Sequence, residues 1–407
     1  MEPKHGKRIA VVSFAALTTL FGGQAAAEKK YGPGVTDTEI KIGNTMPYSG
    51  PASAIGAIGH TLTVYFERLN EQGGINGRKI NWISLDDSYS PPKTVEQTRR
   101  LVEQDQVLLI AAPLGTATNS ATQKYLNAKK VPQLFLISAA SKWNDPKNYP
   151  WSMSLTWGPN YYTEARMHVR YLLTEHSKAK ISVLYQNDDG GKDLLRGLKD
   201  ELAAKGMSAT AEASFEVTDP TVDSQIVTLQ GSGADALFIY AITPKACAQA
   251  IRKAWDIGWR PVRFLFSGCL HQDAVLKPAG LDKATGLLAT GAIKTLSADS
   301  VSDPAIVEYL AFMKKYNPTG VPEDLYNTYG YALGKMIEAV LRRCGDDLTR
   351  ENIMRVASTL KDFRNPMYRE GILINTTAAD YATVQDAYMA RFDGNNWGQF
   401  GKLLNGR

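Results

Sequence analysis

Cysteine is scarce in this chain. Its 407 residues hold three, Cys247, Cys269 and Cys344, too few and too scattered for a disulfide framework. The expectation is three buried thiols, with Cys247 and Cys269 the one pair to test for a bridge. Histidine is nearly as scarce, at five. His168 and His176 lack an acidic partner at a zinc-site spacing, and His-Glu-x-x-His is absent. There is no Gly-x-Ser-x-Gly elbow and no cysteine in a nucleophile context. These absences speak against metal hydrolysis and covalent catalysis, and no metal or cofactor is expected. No basic run stands out, which argues against nucleic acid. Beyond the N-terminus no stretch reaches the roughly 18 apolar residues that a spanning helix needs, so no stable membrane insertion is expected.

The N-terminus does carry a signal. Lys4, Lys7 and Arg8 precede an apolar run from Ile9 to Phe21, and Ala25-Ala26-Ala27 follows. A charged start, a short apolar segment and an Ala-x-Ala site describe an export signal over residues 1–27, cleaved after Ala27. The mature chain is then periplasmic. Cleavage removes three cations and one anion, lowering the formal charge from +5 to +3.

After that, strands and helices alternate. "EIKIGNTM", "INWISLD", "VLLIAA" and "QLFLIS" read as strands, with helices over 59–72 and 92–104. The rhythm restarts at "KISVLYQ", with helices over 191–205, 221–230 and 244–257 and strands near 207–215, at "DALFIYA" and at "RFLFS". Alternation at this spacing implies βαβ units and parallel sheets, so the fold class is α/β with two lobes. Beyond about residue 290 the pattern is mostly helical, at 303–316, 324–343 and 349–360, before "AYMARFD" and "WGQFGKL" close the chain. Too few strands remain there for a third lobe, so the chain must cross between lobes more than once.

Open parallel sheets hold ligands outside the carboxyl ends of their strands. At one such end, "IAAPLGTATNSATQKYLNAKK", Pro113 stops a strand, and Gly115, Thr116, Thr118 and Ser120 lead into a helix. The turn lacks the Lys of a phosphate loop and the glycines of a dinucleotide turn. It offers neutral N–H and hydroxyl donors, which suit one small anion such as a carboxylate. The pairs Asp86-Asp87 and Asp188-Asp189 also fall at strand ends, where they either cap a helix or serve an exported hydrolase.

"IKIGNTMPYSGPASAIG", "LNEQGGINGRKI", "DDSYSPPKTVEQTRRLVEQDQV" and "KISVLYQNDDGGKDLLRGLKDEL" resemble the exported leucine/isoleucine/valine-binding proteins of ABC importers, from about Thr38 to about Lys402. The resemblance implies a type I periplasmic binding protein: two mainly parallel sheets flanked by helices and joined by three crossovers. It implies lobe 1 as 28–153 plus 291–374, and lobe 2 as 154–290 plus 375–407. It implies hinge closure on a small-molecule ligand, no catalysis, and a membrane permease as partner.

Position by position, the resemblance gives the carboxylate grip to Thr116 and to Ala139, Ala140 and Ser141. It places Tyr48, Ile55, Trp157, Tyr161, Tyr326 and Tyr329 at or near the cleft. Departures from the family are equally informative. Gly268 and Cys269 stand where amino-acid binders carry an acid for the ligand ammonium, and Gly190 falls where they carry an aromatic ring. Ala241-Ile242-Thr243 replaces an aromatic-rich strand end. Asp188 and Asp324 are the remaining candidates for an ammonium partner. The favoured ligand is therefore an aromatic or other apolar acid in a roomier cleft. The alternatives are a branched-chain amino acid with a relocated partner, a ligand-sensing receptor domain, or an exported hydrolase.

Overall fold

A computed structural model describes residues 1–3, 29–296 and 300–406. Residues 4–28, which hold the body of the export signal and its cleavage position, lie outside the described residues. Two sheets organise the chain. The first is built from β2 (Glu39–Met46), β3 (Lys79–Asp86), β4 (Leu109–Ala111), β5 (Gln133–Leu136) and β6 (Ser152–Ser154). Its order is β3-β2-β4-β5-β6 and every pairing is parallel. Its connections hold α1 (Ala57–Glu71), α2 (Pro91–Arg99) and α3 (Thr116–Ala128). A two-residue ladder, β1 (Lys30–Tyr31) with β12 (Asp347–Leu348), ties the two ends of this lobe together.

The second sheet holds β7 (Ile181–Gln186), β8 (Ala211–Phe215), β9 (Ala236–Tyr240), β10 (Val262–Leu265), β11 (Leu288–Gly291), β13 (Ala387–Phe392) and β14 (Trp397–Leu404). Its order is β14-β13-β11-β10-β9-β7-β8, antiparallel only where β13 pairs with β11 and β14. Around it lie α4 (Tyr161–Glu175), α5 (Asp189–Ala203), α6 (Asp223–Gly231), α7 (Pro244–Asp256) and the short turns α8 (Lys277–Ala279) and α9 (Leu281–Ala284). The late helices are α10 (Pro304–Tyr316), α11 (Leu325–Cys344) and α12 (Arg350–Ala357).

The late helices return to the first lobe. On α1, Ile58, Leu62, Tyr65, Phe66 and Leu69 form one buried face, the spacing of an amphipathic helix. α11 lies against it through two glycines. A Cβ at Gly334 would sit 2.6 Å from the Tyr65 ring, and one at Gly330 would sit 2.9 Å from the Thr61 Cβ. No larger residue allows that approach. The chain therefore passes between the sheets three times: after β6, after β11 and before β13. That is the architecture the sequence implied.

One expectation fails. Cys247 and Cys269 form a disulfide across a separation of 22 residues, and only Cys344 is a free, buried thiol. The bridge pins the start of α7 to the turn after β10, at neighbouring strand ends of the second sheet. Burial pushes the Cys344 thiol up to about 12, so it is inert. Elements absent from the sequence reading are α4, β6 and β11, and the short β1, β12, α8 and α9.

Candidate functional site

The site begins where β4 ends. Gly115 has φ +105°, and a Cβ there would lie 2.7 Å from the Tyr89 ring, so conformation and contact both require glycine. Its N–H donates to Ile137 O at 3.0 Å, while Ile137 N–H donates to Pro113 O at 2.8 Å. These two bonds hold the ends of β4 and β5 together. The Asn119 side-chain amide donates to the carbonyls of Pro113 and Gly115 at 2.9 and 2.7 Å. With the loop braced from behind, Thr116 opens α3 with its hydroxyl spared from capping. That hydroxyl meets Ser138 Oγ at 2.7 Å, and both residues are buried.

Ser138 is the residue that sequence reasoning missed. The expected partner of Thr116 was Ser141, but the structure does not bring those two together. After β5 the chain enters a tight turn, Ser141–Trp143, which carries Ser141 toward the other lobe. There its N–H and hydroxyl both donate to the Asp193 carboxylate of α5, at 2.7 and 2.8 Å. Arg196 completes the cluster, donating to Asp193 at 2.6 Å and to Ser141 Oγ at 2.7 Å. Beside it Lys142 pairs with Asp189 at 2.8 Å. Ser141 thus belongs to an inter-lobe clasp. Ala139 and Ala140 stay buried beside Ser138, and Ala139 O accepts from Tyr161 N–H at 2.8 Å.

The facing wall from lobe 2 is apolar. A Cβ at Gly190 would sit 2.5 Å from Ile242 Cδ1, 3.0 Å from Thr116 Oγ1 and 3.1 Å from Tyr161 Cε2. The room expected from the missing ring at Gly190 is therefore filled by Ile242 and Tyr161. Phe266 lies edge-on to Tyr161, with centroids 5.2 Å apart, and Trp157 lies 6.4 Å from Phe266 and 5.0 Å from Tyr329. Gly268 is hemmed in by the Phe266 and Trp157 rings, which its Cβ would approach to 2.4 and 2.8 Å. Its carbonyl accepts from the Tyr326 hydroxyl of lobe 1 at 3.1 Å. Trp157 Nε1 and the Tyr89 hydroxyl are buried without a hydrogen-bond partner.

The remaining expected residues are engaged elsewhere. Tyr48 places its hydroxyl 2.5 Å from Ser84 Oγ and packs on His60 with centroids 4.7 Å apart. Ile55 is buried in the short turn before α1. The Tyr329 hydroxyl donates to Leu155 O, bracing the first crossover. Asp188 caps α5 by accepting from Gly191 N–H at 2.9 Å, and also accepts from Gln186 at 2.6 Å; burial raises its pKa. Asp324 caps α11 and pairs with His271 Nε2 of lobe 2 at 2.5 Å.

Asp86 and Asp87 are spent on their own turn. Burial pushes Asp86 up, but Lys93, Ser49 and Ser88 more than offset it and hold that carboxyl well below the usual range. Asp87 accepts from Tyr89 N–H and Thr94 Oγ at 3.0 and 2.9 Å, and burial pushes it up to about 6. Behind the lobe-2 wall, Glu164 takes Ser267 N–H and Oγ at 2.8 and 2.9 Å and Thr290 Oγ at 3.1 Å. Burial pushes it up to about 7. Among the described residues no cluster of His, Cys, Asp or Glu could hold a metal ion, and no helix is long and apolar enough to cross a membrane.

The fold that holds these residues has relatives. The periplasmic binding protein family matches residues 39–396. The chain belongs to that family. Among curated relatives, a Leu/Ile/Val-binding protein homolog 1 of Brucella suis is 23% identical over 346 residues, covering 84% of this chain and 88% of that one. A branched chain amino acid ABC transporter structure from Thermus thermophilus with bound valine superposes with TM-score 0.81 at 15% identity, over 91% and 97% of the two chains. A solute binding protein of an ABC transporter from Rhodopseudomonas palustris BisB5, in complex with 3,4-dihydroxy benzoic acid, superposes with TM-score 0.74 at 17% identity, over 90% and 98%.

Proposed function

We propose that this chain is the exported solute-binding receptor of an ABC importer and captures a small carboxylate ligand, by preference an aromatic or other apolar acid. Residues 28–153 with 291–374 would form one lobe and 154–290 with 375–407 the other, after cleavage behind Ala27 and release into the periplasm. Closure of the lobes on the ligand is the event a membrane permease reads, and no reaction is catalysed. Contacts made only when both lobes touch the ligand favour the closed form.

The observation that carries this reading is the contrast across the cleft. The Thr116–Ser138 hydroxyls stand on one side, and Ile242, Phe266 and the ring-enclosed Gly268 on the other. The nearest carboxylates already have partners, Asp188 in Gln186 and Gly191 N–H and Asp324 in His271, which speaks against their serving an ammonium. Burying an unpaired cation costs several kcal/mol. The relative holding a dihydroxybenzoic acid is of the favoured type. The relative holding valine favours the second reading, a branched-chain amino acid receptor with its ammonium partner elsewhere. Mass spectrometry of small molecules that co-purify with periplasmic protein tests the proposal. A monocarboxylic acid with an apolar body is expected. A ligand without a carboxylate, or turnover of the bound molecule, would overturn it.

A further inference from the structure

The strands of the second sheet end at the cleft. Where β10 and β11 begin, at the opposite end, the chain encloses a cavity of about 460 Å³. Arg260, Arg263, Arg391 and His176 border it, and among the described residues Glu175 is the one carboxylate on its lining. Arg263 is only 7% exposed. Its guanidinium donates to Lys283 O and Thr285 O at 2.6 and 2.9 Å, two neutral acceptors. Arginine is rarely buried unless a counter-charge accompanies it. Here burial and the neighbouring Arg260 charge push Arg263 down to about 10. Arg260 is held by stacking on Trp255, 3.7 Å from the ring centre, and by donating through Nη1 to Trp255 O and Trp259 O. Arg391 comes from β13, opposite Leu288 of β11, and lies over the Phe400 ring. Among the described residues none of these three arginines forms an ion pair with a carboxylate. A brace between β10 and the turn before β11 needs Arg263 and its two carbonyls alone. It accounts for neither of the other guanidiniums at the same cavity.

We propose that this cavity is a second binding site, separate from the cleft between the lobes, and that it takes a phosphoryl oxyanion on Arg260, Arg263 and Arg391. Planar N–H forks can each meet two oxygens of such a group, and a dianion supplies the counter-charge that Arg263 lacks. Trp255 and Tyr171 also line the cavity, which leaves apolar surface for whatever the phosphoryl group is attached to. A free phosphate and a lipid headgroup offer the same chemistry. The site does not depend on what the cleft binds.

Calorimetric titration of the full-length mature protein with inorganic phosphate, at constant ionic strength, tests the proposal. Arg391 and Arg260 are exposed, so Arg391→Gln and Arg260→Gln should fold as the parent does, with little change in melting temperature in phosphate-free buffer. Each should weaken phosphate about tenfold, the range of a hydrogen bond between charged groups. Arg391→Lys keeps the charge but loses the fork, and should recover only part of that loss. Phosphate should raise the melting temperature of the parent, and raise that of Arg391→Gln less. Sedimentation with vesicles of phosphatidylglycerol or of phosphatidylcholine separates the sources. Capture by the first alone, lost in Arg391→Gln, assigns the site to an anionic lipid; phosphate binding without capture assigns it to a free anion. Binding of neither probe, or binding that both glutamine variants leave unchanged, would overturn the site.

Discussion

The two faces of the cleft are built on opposite principles. Lobe 1 presents Thr116 and Ser138, polar groups locked in place by the β4 and β5 ends and by Asn119 and Trp143. Lobe 2 presents Ile242, Phe266 and Gly190, with its nearest polar groups turned inward: Glu164 is consumed by Ser267 and Thr290. The difference supports the proposed division of labour, in which a fixed donor pair would orient a charged end and an apolar wall would read shape. The wall's chemistry would then set which acids fit.

The contrast can be broken most severely at Gly190. Its Cβ position already meets Ile242, Thr116 and Tyr161 from both lobes, so Gly190→Leu should hold the lobes apart. Affinity for any acid should fall by about two decades or more by calorimetry, and the melting temperature of the free protein should also fall, because the new side chain crowds Ile242 and Tyr161 within lobe 2 itself. Undiminished binding would mean the lobes do not meet there when ligand is held.

Next in size is the inward-turned carboxyl of lobe 2. Glu164 is pushed from 4.5 to about 7 by burial. A raised carboxyl keeps its proton in the folded chain while the unfolded chain has lost it, so stability falls as pH rises from about 4.5 to 7 and is level above that. Glu164→Gln should flatten this slope. The wild-type-minus-variant difference in urea-unfolding free energy should fall across that window by an amount of order 3 kcal/mol at most. His168, pushed down to about 3 by burial, has its Nε2 3.8 Å from Glu164 Oε1, so the comparison is repeated in a His168→Gln background to remove that coupling. A pH-independent difference would remove Glu164 from the account.

The sequence already carried the frame of this contrast but not its details. "KISVLYQ" became β7 because a short run rich in apolar and β-branched residues favours a strand, and Gly115-Thr116 became the start of α3 because Pro113 ends the strand and Gly115 supplies the turn. The turn 138–141 was read as part of the grip, but Ser138 was not singled out within it, for a physical reason. Spacing cannot tell which of two serines three residues apart faces the cleft when the intervening chain turns, and the tight turn at Ser141–Trp143 rotates Ser141 out of it. Helix α4 was passed over although Asn160 caps it by accepting from Thr163 N–H at 2.9 Å, a start signal that could have been read. The Cys247–Cys269 bridge depends on two segments meeting in space, which spacing alone does not reveal. Asp193 gave no hint either, because its partner is in the other lobe.

On the polar side, Thr116→Val and Ser138→Ala each remove a link from the donor pair. Each should weaken acid binding by about 1–3 kcal/mol, the range for a hydrogen bond to a charged group, with the acid's primary amide affected less. A smaller effect belongs to the clasp. Asp193→Asn keeps the shape but weakens the bonds from Ser141 and Arg196. It should cost closure about 1 kcal/mol and raise Kd about fivefold for acid and amide alike. A preferential loss of the acid would place Asp193 in the donor wall rather than in the clasp.

The central claim is that one lobe grips a carboxylate while the other offers no partner to an ammonium. Calorimetric titration of ligand-stripped protein with 3-phenylpropanoate, its α-amino counterpart phenylalanine, and leucine tests that claim directly. The account predicts micromolar or tighter binding of the acid and an α-amino penalty of at least ~2 kcal/mol, the lower range for burying an unpaired polar group. Tight leucine binding with no response to the acid would contradict it.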